Sequence, residues 1–151
     1  MNELRPACPL CAETGGLLVA RGERWRVVRV EDAPSFPAFY RLIWNGHVAE
    51  FSDLDAAQRL ECMEAVTAIE RALREALAPS KINLATLGNV VPHLHWHVIA
   101  RFDWDSHFPN PIWGETRRQV EGGAAARLAL PVEALDERVR AALAAAQSPG
   151  A

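Results

Sequence analysis

Three of the chain's five histidines lie in one stretch, HLHWHV at residues 93–98, at a spacing of two. Side chains of an extended strand alternate between its faces. His93, His95 and His97 therefore share one face, and Leu94, Trp96 and Val98 share the other. The apolar face can pack on a helix, which leaves the imidazoles lining a cleft. Two chemistries suit such an array. Imidazoles are good metal ligands. Alternatively, one imidazole attacks phosphorus while its neighbours orient it and neutralise charge. Metal-hydrolase motifs usually set an acid beside the histidines, and here every intervening residue is apolar, which favours the nucleophile. Titratable groups clustered on one face mark functional sites.

A second constellation is CPLC at residues 8–11. A Cys8–Cys11 pair of this spacing suits zinc or thiol–disulfide chemistry. The redox form opens a helix after a strand in a βαβ pattern, and the surrounding sequence lacks that pattern. Cys62 falls within a helical stretch and reads as a small buried hydrophobe. Three cysteines, an odd count, argue against a disulfide scaffold.

The positioning elements follow from periodicity. LLVA and WRVVRVE flank the turn-like RGER and predict a hairpin. FYRLIW (39–44) predicts a third strand stopped by Asn45-Gly46. SDLD (52–55) predicts a helix start, with Ser52 as the cap and Asp55 completing a capping-box-like pair. Leu60, Met63, Val66, Ile69, Leu73 and Leu77 then recur at three and four, the apolar face of a helix ended by Pro79. KINLATLG (81–88) predicts a strand ending at Gly88, and HLHWHVIAR (93–101) another, entered through Pro92. DWDSHFPNPIWG (103–114) is an aromatic loop. EGGAAA (121–126) reads as a joint pivoting at Gly122 and Gly123, before an alanine-rich C-terminal helix from Pro131. Strand, strand, strand, helix, strand, strand predicts an α+β fold: an antiparallel sheet with one long helix on one face, and a C-terminal helix.

These residues resemble the histidine triad (HIT) family. HLHWHV fits its His-φ-His-φ-His-φ signature, where φ is apolar. FYRLIWNGH resembles the family's strand that ends in a histidine, here His47. INLATLGN resembles the segment before the triad, with Asn83 and the pair Gly88 and Asn89. HVIAR resembles the HVxPR ending of the family's dinucleoside polyphosphate hydrolases. The resemblance spans about residues 8 to 105 and implies a HIT-like nucleotide-binding domain over 1–120. Residues 121–151 would be a joint and helix of the same domain or a short appendage.

The resemblance implies a hydrolase or nucleotidyl transferase acting at the α-phosphorus of dinucleoside polyphosphates or nucleoside phosphoramidates. His95 would form a nucleotidyl-histidine, assisted by His93 and His97, and a nucleoside monophosphate would be released. Asn83, Gly88, Asn89, Arg101 and His107 are the candidate substrate contacts, and Trp104 and Trp113 could stack on a base. Some members and the related hexose-phosphate uridylyltransferases hold zinc with a cysteine pair and two histidines, which match Cys8, Cys11, His47 and His93 here. That implies one structural zinc and no organic cofactor. A homodimer is also implied. The chain departs from the family's pattern at WNGH, at Asn89 in place of glutamine, at Val90 where a hydroxyl is common, and at Ala100 in place of proline. The Val90 and Asn89 departures allow a rival reading, a nucleotide-binding sensor or partner protein with little turnover. A metallohydrolase using the three histidines directly is a third.

Composition narrows the partners. With 151 residues, half of them hydrophobic and 23% charged, the chain suits one ordinary globular domain. A net charge of −3 with no basic run disfavours a nucleic-acid polymer, though not a small phosphate ligand. No apolar run reaches the roughly 18–20 residues needed to cross a membrane, and no signal-peptide pattern opens the chain. The expected location is cytoplasmic.

Overall fold

The computed structural model describes residues 3–148. Its strands arise in the stretches rich in aliphatic and aromatic residues. Leu17–Arg21 (β1) and Trp25–Arg29 (β2) form the expected antiparallel hairpin, with a register shift between Leu18 and Ala20. The turn needs glycine at 22, because a Cβ there would sit 2.3 Å from the Trp25 indole. Phe39–Trp44 forms β3, Lys81–Ala85 β4 and His95–Arg101 β5. The five strands are antiparallel in the order β1-β2-β3-β5-β4. Pro9–Ala12 makes a one-turn helix (α1), Ala56–Leu77 the long helix (α2) and Val132–Gln147 the C-terminal helix (α3).

Both long helices cover one face of the sheet. Val27, Tyr40, Leu42 and Val98 meet Cys62, Val66, Ile69 and Leu73 of α2, and Leu135, Val139 and Leu143 of α3, in the main core. Polar ties cross this layer: Asp136 of α3 accepts from the Tyr40 hydroxyl at 2.7 Å and from Arg29 Nε at 2.9 Å, and Arg140 Nε of α3 donates to the Val19 carbonyl of β1 at 2.8 Å. The opposite face carries two small clusters, Cys8, Leu10, Val28 and Ile43 at one end and Val30, Phe36, Phe39 and Ile99 at the other. Register places Ile43 opposite His95, Arg41 opposite His97 and Phe39 opposite Ile99. His95, His97 and Arg41 thus occupy the gap between the two small clusters.

Four local expectations need correction. Ser52 does not cap α2. Phe51–Asp53 forms a separate 3-10 turn, and Leu54, 2% exposed, inserts into the core in extended conformation. The helix can start only after it. Asp55 is the cap: its carboxylate accepts from Gln58 N–H at 2.9 Å, and Gln58 Oε1 accepts from Asp55 N–H at 3.0 Å. Leu60 is 62% exposed rather than on the apolar face. At about 100° per residue each step of three slips back about 60°, so three such steps from Ile69 put Leu60 on the far side. β4 ends at Ala85, not Gly88, and the Thr86 hydroxyl then donates to the His95 carbonyl at 2.7 Å. β5 begins at His95, not His93, because His93 N–H donates to the Val91 carbonyl at 2.8 Å instead of to a neighbouring strand.

The cap assignment gives a direct test by denaturant unfolding. Asp55→Ala is expected to destabilise the protein by about 1 kcal/mol. Ser52→Ala is expected to leave the midpoint within about 0.5 kcal/mol of the parent. The reverse order would restore Ser52 as the cap.

Candidate functional site

The start of β5 presents His95 to a cleft of about 520 Å³. Its Nδ1 lies 2.6 Å from the His93 carbonyl. A carbonyl only accepts, so Nδ1 carries the proton and Nε2 keeps its lone pair. Burial lowers the His95 pKa, partly opposed by this hydrogen bond, and the Arg41 charge lowers it further. The result is a neutral imidazole with one nitrogen tethered and the other available, the form a nucleophile requires.

His97 lies two residues along the same face and is 5% exposed. Its ring meets His95, Phe39 and Trp113 edge to face, at centroid distances of 5.0, 5.4 and 5.3 Å. Its Nδ1 is buried without a partner. Burial first, then the neighbouring His95 and Arg41, push its pKa down to about 3. Gly88, Asn89, Val90 and Leu87 form the opposite wall of the cleft, and Leu10, from between the two cysteines, lines it as well. Gly88 adopts a φ of 76° there, a left-handed turn that glycine enters without steric cost.

The remaining sequence candidates separate into two groups. Gly88 and Asn89 share the cleft with His95 and His97. Arg101, Asn83 and His107 do not line it. The Arg101 guanidinium is buried and committed to Asp105 at 2.8 and 3.0 Å, to Asn83 Oδ1 at 2.8 Å and to the Asn110 carbonyl at 2.8 Å. Burial alone would raise the Asp105 carboxyl. Arg101 and the backbone N–H groups of His107, Phe102 and Phe108 hold it below its usual value. His107 pairs with Ser106 Oγ at 2.7 Å and packs on Phe36. Trp104 stacks on Phe102. The 103–114 loop therefore brings Trp113, not His107 or Trp104, to the cleft.

Sequence reasoning passed over Arg41. It lines the cleft opposite His97, and its guanidinium lies 5.4 Å from the Phe39 ring centroid. The signal was a lone cation among the five apolar residues of FYRLIW.

Behind the cleft, His93 is fully buried. Its Nε2 lies 2.5 Å from the Trp44 carbonyl, and its Nδ1 lies 3.5 Å from the Sγ atoms of both Cys8 and Cys11. His47 Nδ1 is 3.4 Å from Cys11 Sγ. One ligand atom from each of these four residues lies within 4.8 Å of all the others, so the group could hold a metal ion. Zinc bonds of about 2.3 Å to sulfur and 2.0–2.1 Å to nitrogen give a tetrahedral S–N edge of roughly 3.6 Å. The observed spacings fit that edge. The Nε2 bond to Trp44 also leaves the Nδ1 lone pair facing the thiols. Among the described residues, His95 and His97 belong to no such group. Cys62 stands apart within α2, where burial pushes its thiol up to about 12.

Fold and site together define an α+β protein whose cleft is built on an alternating-histidine strand. The chain belongs to the HIT family: the HIT domain model matches residues 22–104. That is a family of nucleotide-binding proteins and hydrolases. A histidine triad protein from Bradyrhizobium japonicum is 28% identical, with 86% of this chain and 92% of that chain covered and a TM-score of 0.69. One from Marinobacter aquaeolei VT8 is 20% identical over 96% of this chain and 98% of that one, with a TM-score of 0.70. A zinc-bound histidine triad family protein from Mycobacterium smegmatis is 21% identical over 92% and 94%, with a TM-score of 0.59. No curated protein matches the chain.

The low pKa of His97 fixes a sign for acid stability. Below the unfolded value of 6.5 the unfolded chain binds a proton that the folded His97 refuses until about pH 3. Stability therefore falls as pH drops through that window, by up to about 1.4 kcal/mol per pH unit from this group. Denaturant titrations from pH 7 to 4 should show His97→Asn with a shallower fall than the parent. An equal or steeper fall in the variant would refute the assignment.

Proposed function

We propose that the protein is a hydrolase or nucleotidyl transferase that cleaves dinucleoside polyphosphates or nucleoside phosphoramidates at the α-phosphorus, through a nucleotidyl adduct on His95. The observation that carries this reading is the 2.6 Å bond between His95 Nδ1 and the His93 carbonyl, which leaves Nε2 free at the cleft. In the first step Nε2 donates its lone pair to phosphorus, and the bond from phosphorus to the leaving oxygen or nitrogen breaks. The leaving group takes the electron pair, and a leaving nitrogen also takes up a proton from solvent so that it departs as the neutral amine. The modified imidazole becomes cationic, retaining its Nδ1 proton on the carbonyl. In the second step water attacks phosphorus and loses a proton to solvent. The P–N bond breaks, its electron pair returns to Nε2, and a nucleoside monophosphate departs. Charge on the non-bridging oxygens is met by donors fixed in the cleft, Asn89 and His97 among them. Trp113, 55% exposed at the mouth, offers a face for the base.

Cys8, Cys11, His47 and His93 would hold one structural zinc. A bound zinc supplies folding free energy and no chemistry at phosphorus. The acting molecule would be a homodimer that takes a small nucleotide and neither a nucleic-acid polymer nor a membrane. The rival reading, a nucleotide sensor with little turnover, draws on the wall at 87–91. Val90 there is 93% exposed and supplies no hydroxyl.

Product analysis distinguishes the readings. Diadenosine polyphosphates and an adenosine phosphoramidate are incubated with the protein in the presence of a chelator that removes loosely bound metal. AMP release is expected from the parent, reduced at least about a thousandfold in His95→Ala. Release that survives in the variant would overturn the adduct. Binding of AMP without release from any substrate would favour the sensor.

Elemental analysis tests the metal separately. About one zinc per chain is expected in the parent, and loss of zinc with a lowered unfolding midpoint is expected in Cys11→Ser. Full zinc content in that variant would exclude this set of ligands.

A further inference from the structure

A guanidinium is permanently charged, so burying one calls for partners that satisfy all its donors. The other arginines on the sheet's buried surfaces have firm partners. Arg26 donates to the Thr14, Leu10 and Glu13 carbonyls and to Asn45 Oδ1. Arg29 pairs with Asp136, and Arg101 with Asp105. Arg41 is the exception. Its Nε is buried with no partner, and its one hydrogen bond is a long 3.5 Å contact from an NH group to the Gly15 carbonyl. It makes no ion pair among the described residues.

Only two other buried side-chain polar atoms lack partners among the described residues, Trp96 Nε1 and His97 Nδ1. His97 stands opposite Arg41 in the sheet register, and both line the cleft that holds His95. Two side chains that each bury an unpartnered nitrogen therefore line the cleft beside His95. The facing wall, residues 87–91, offers one polar side chain, Asn89; the others are Leu87, Gly88, Val90 and Val91. Neutral His97 brings no positive charge. Among the described residues that line the cleft, Arg41 is the only permanently cationic side chain.

We propose that Arg41 is the anion-binding residue of the cleft, and that its weakly held guanidinium takes a non-bridging oxygen of the substrate's phosphoryl group next to His97. This rests on reading the cleft as a phosphoryl site and deepens that reading. It makes the selected class a ligand with a negatively charged phosphoryl group, in preference to the neutral nucleoside. It also locates the compensation for Val90: charge stabilisation comes from β3 instead of from a hydroxyl on the opposite wall. Arginine suits this task because its donors form a planar fork that matches phosphate oxygens.

The test is calorimetric binding of inorganic phosphate, AMP and adenosine to the parent, Arg41→Met and Arg41→Gln. Both variants are expected to weaken AMP and phosphate at least about tenfold, with adenosine within about twofold. The unliganded unfolding midpoint of Arg41→Met is expected to be unchanged or higher, because an apolar chain of similar length removes a partly buried charge that has no ion-pair partner. A purely structural arginine would lower that midpoint and weaken all three ligands together. Parent-like AMP and phosphate affinity in the variants, equal loss of adenosine binding, or a parent that binds neither anion would each overturn the proposal. Should Arg41→Met fail to fold, Arg41→Gln decides by the same criteria. Arg41-dependent anion binding without AMP release from any substrate would sink the hydrolase reading and leave this one standing. Undiminished turnover in both variants would do the opposite.

Discussion

The hydrogen bond from His95 Nδ1 to the His93 carbonyl works only if that carbonyl cannot move. Its fixity comes from the three atoms by which His93 itself is held. The ring's Nε2 is on the Trp44 carbonyl, its Nδ1 faces two thiols, and its backbone N–H closes a turn onto Val91. Leu94 extends the clamp, donating to the Val48 carbonyl and accepting from Trp44 N–H. One residue thus joins the N-terminal cysteines, the end of β3 and the start of β5. A shift of the knuckle would be felt at His95 through a single peptide unit. The knuckle also contributes Leu10 to the cleft, so the same few residues set both the orientation of the nitrogen and one wall around it.

The sheet divides its labour by face. Two helices and most of the apolar side chains lie on one side, where register errors would move a whole hydrophobic set into water. The other side carries only small clusters, and polar groups survive in the gap between them. The buried Arg101–Asp105 pair guards the far end of that gap. Such a pair contributes little net stability against an apolar substitute, yet removing one partner leaves an uncompensated charge. Its effect here is geometric: Asp105 also collects the N–H groups of Phe102, His107 and Phe108, which fixes the path of the loop that brings Trp113 to the cleft.

Much of this was legible in the sequence, because periodicity reports burial. The apolar run FYRLIW located β3 to the residue, and the apolar positions from Val66 to Leu77 mark the buried side of α2. Several of the misses share one cause: a contact made in the folded structure outcompeted a local preference. Ser52 is a good cap by type, but Leu54 was drawn into the core and moved the helix start. His93 fits the alternation, but the thiols and Trp44 drew it out of the strand. Arg101 is a plausible phosphate ligand until Asp105 and Asn83 occupy its donors. Arg41 was hidden for the converse reason. A single cation in an apolar strand reads as a surface residue, and only the pairing of β3 with β5 sets it opposite His97.

The three-histidine motif looks uniform and is not. Its first member turns toward sulfur, in a set of four donors with the geometry of a metal site. The second and third face a cleft with no carboxylate or thiol close enough to complete a ligand set among the described residues, and both have pKa values lowered by burial. Direct use of all three imidazoles by one catalytic metal would require His93 to abandon Trp44 and the cysteines, which would release the carbonyl that orients His95. The two functions of the motif are therefore exclusive at His93 and coupled through its backbone. Burial then completes the division. The desolvation that keeps His95 and His97 neutral preserves their lone pairs but removes their charge, and a cleft for an anion must recover a cation elsewhere. Arg41, across the sheet on β3, is the group positioned to supply it.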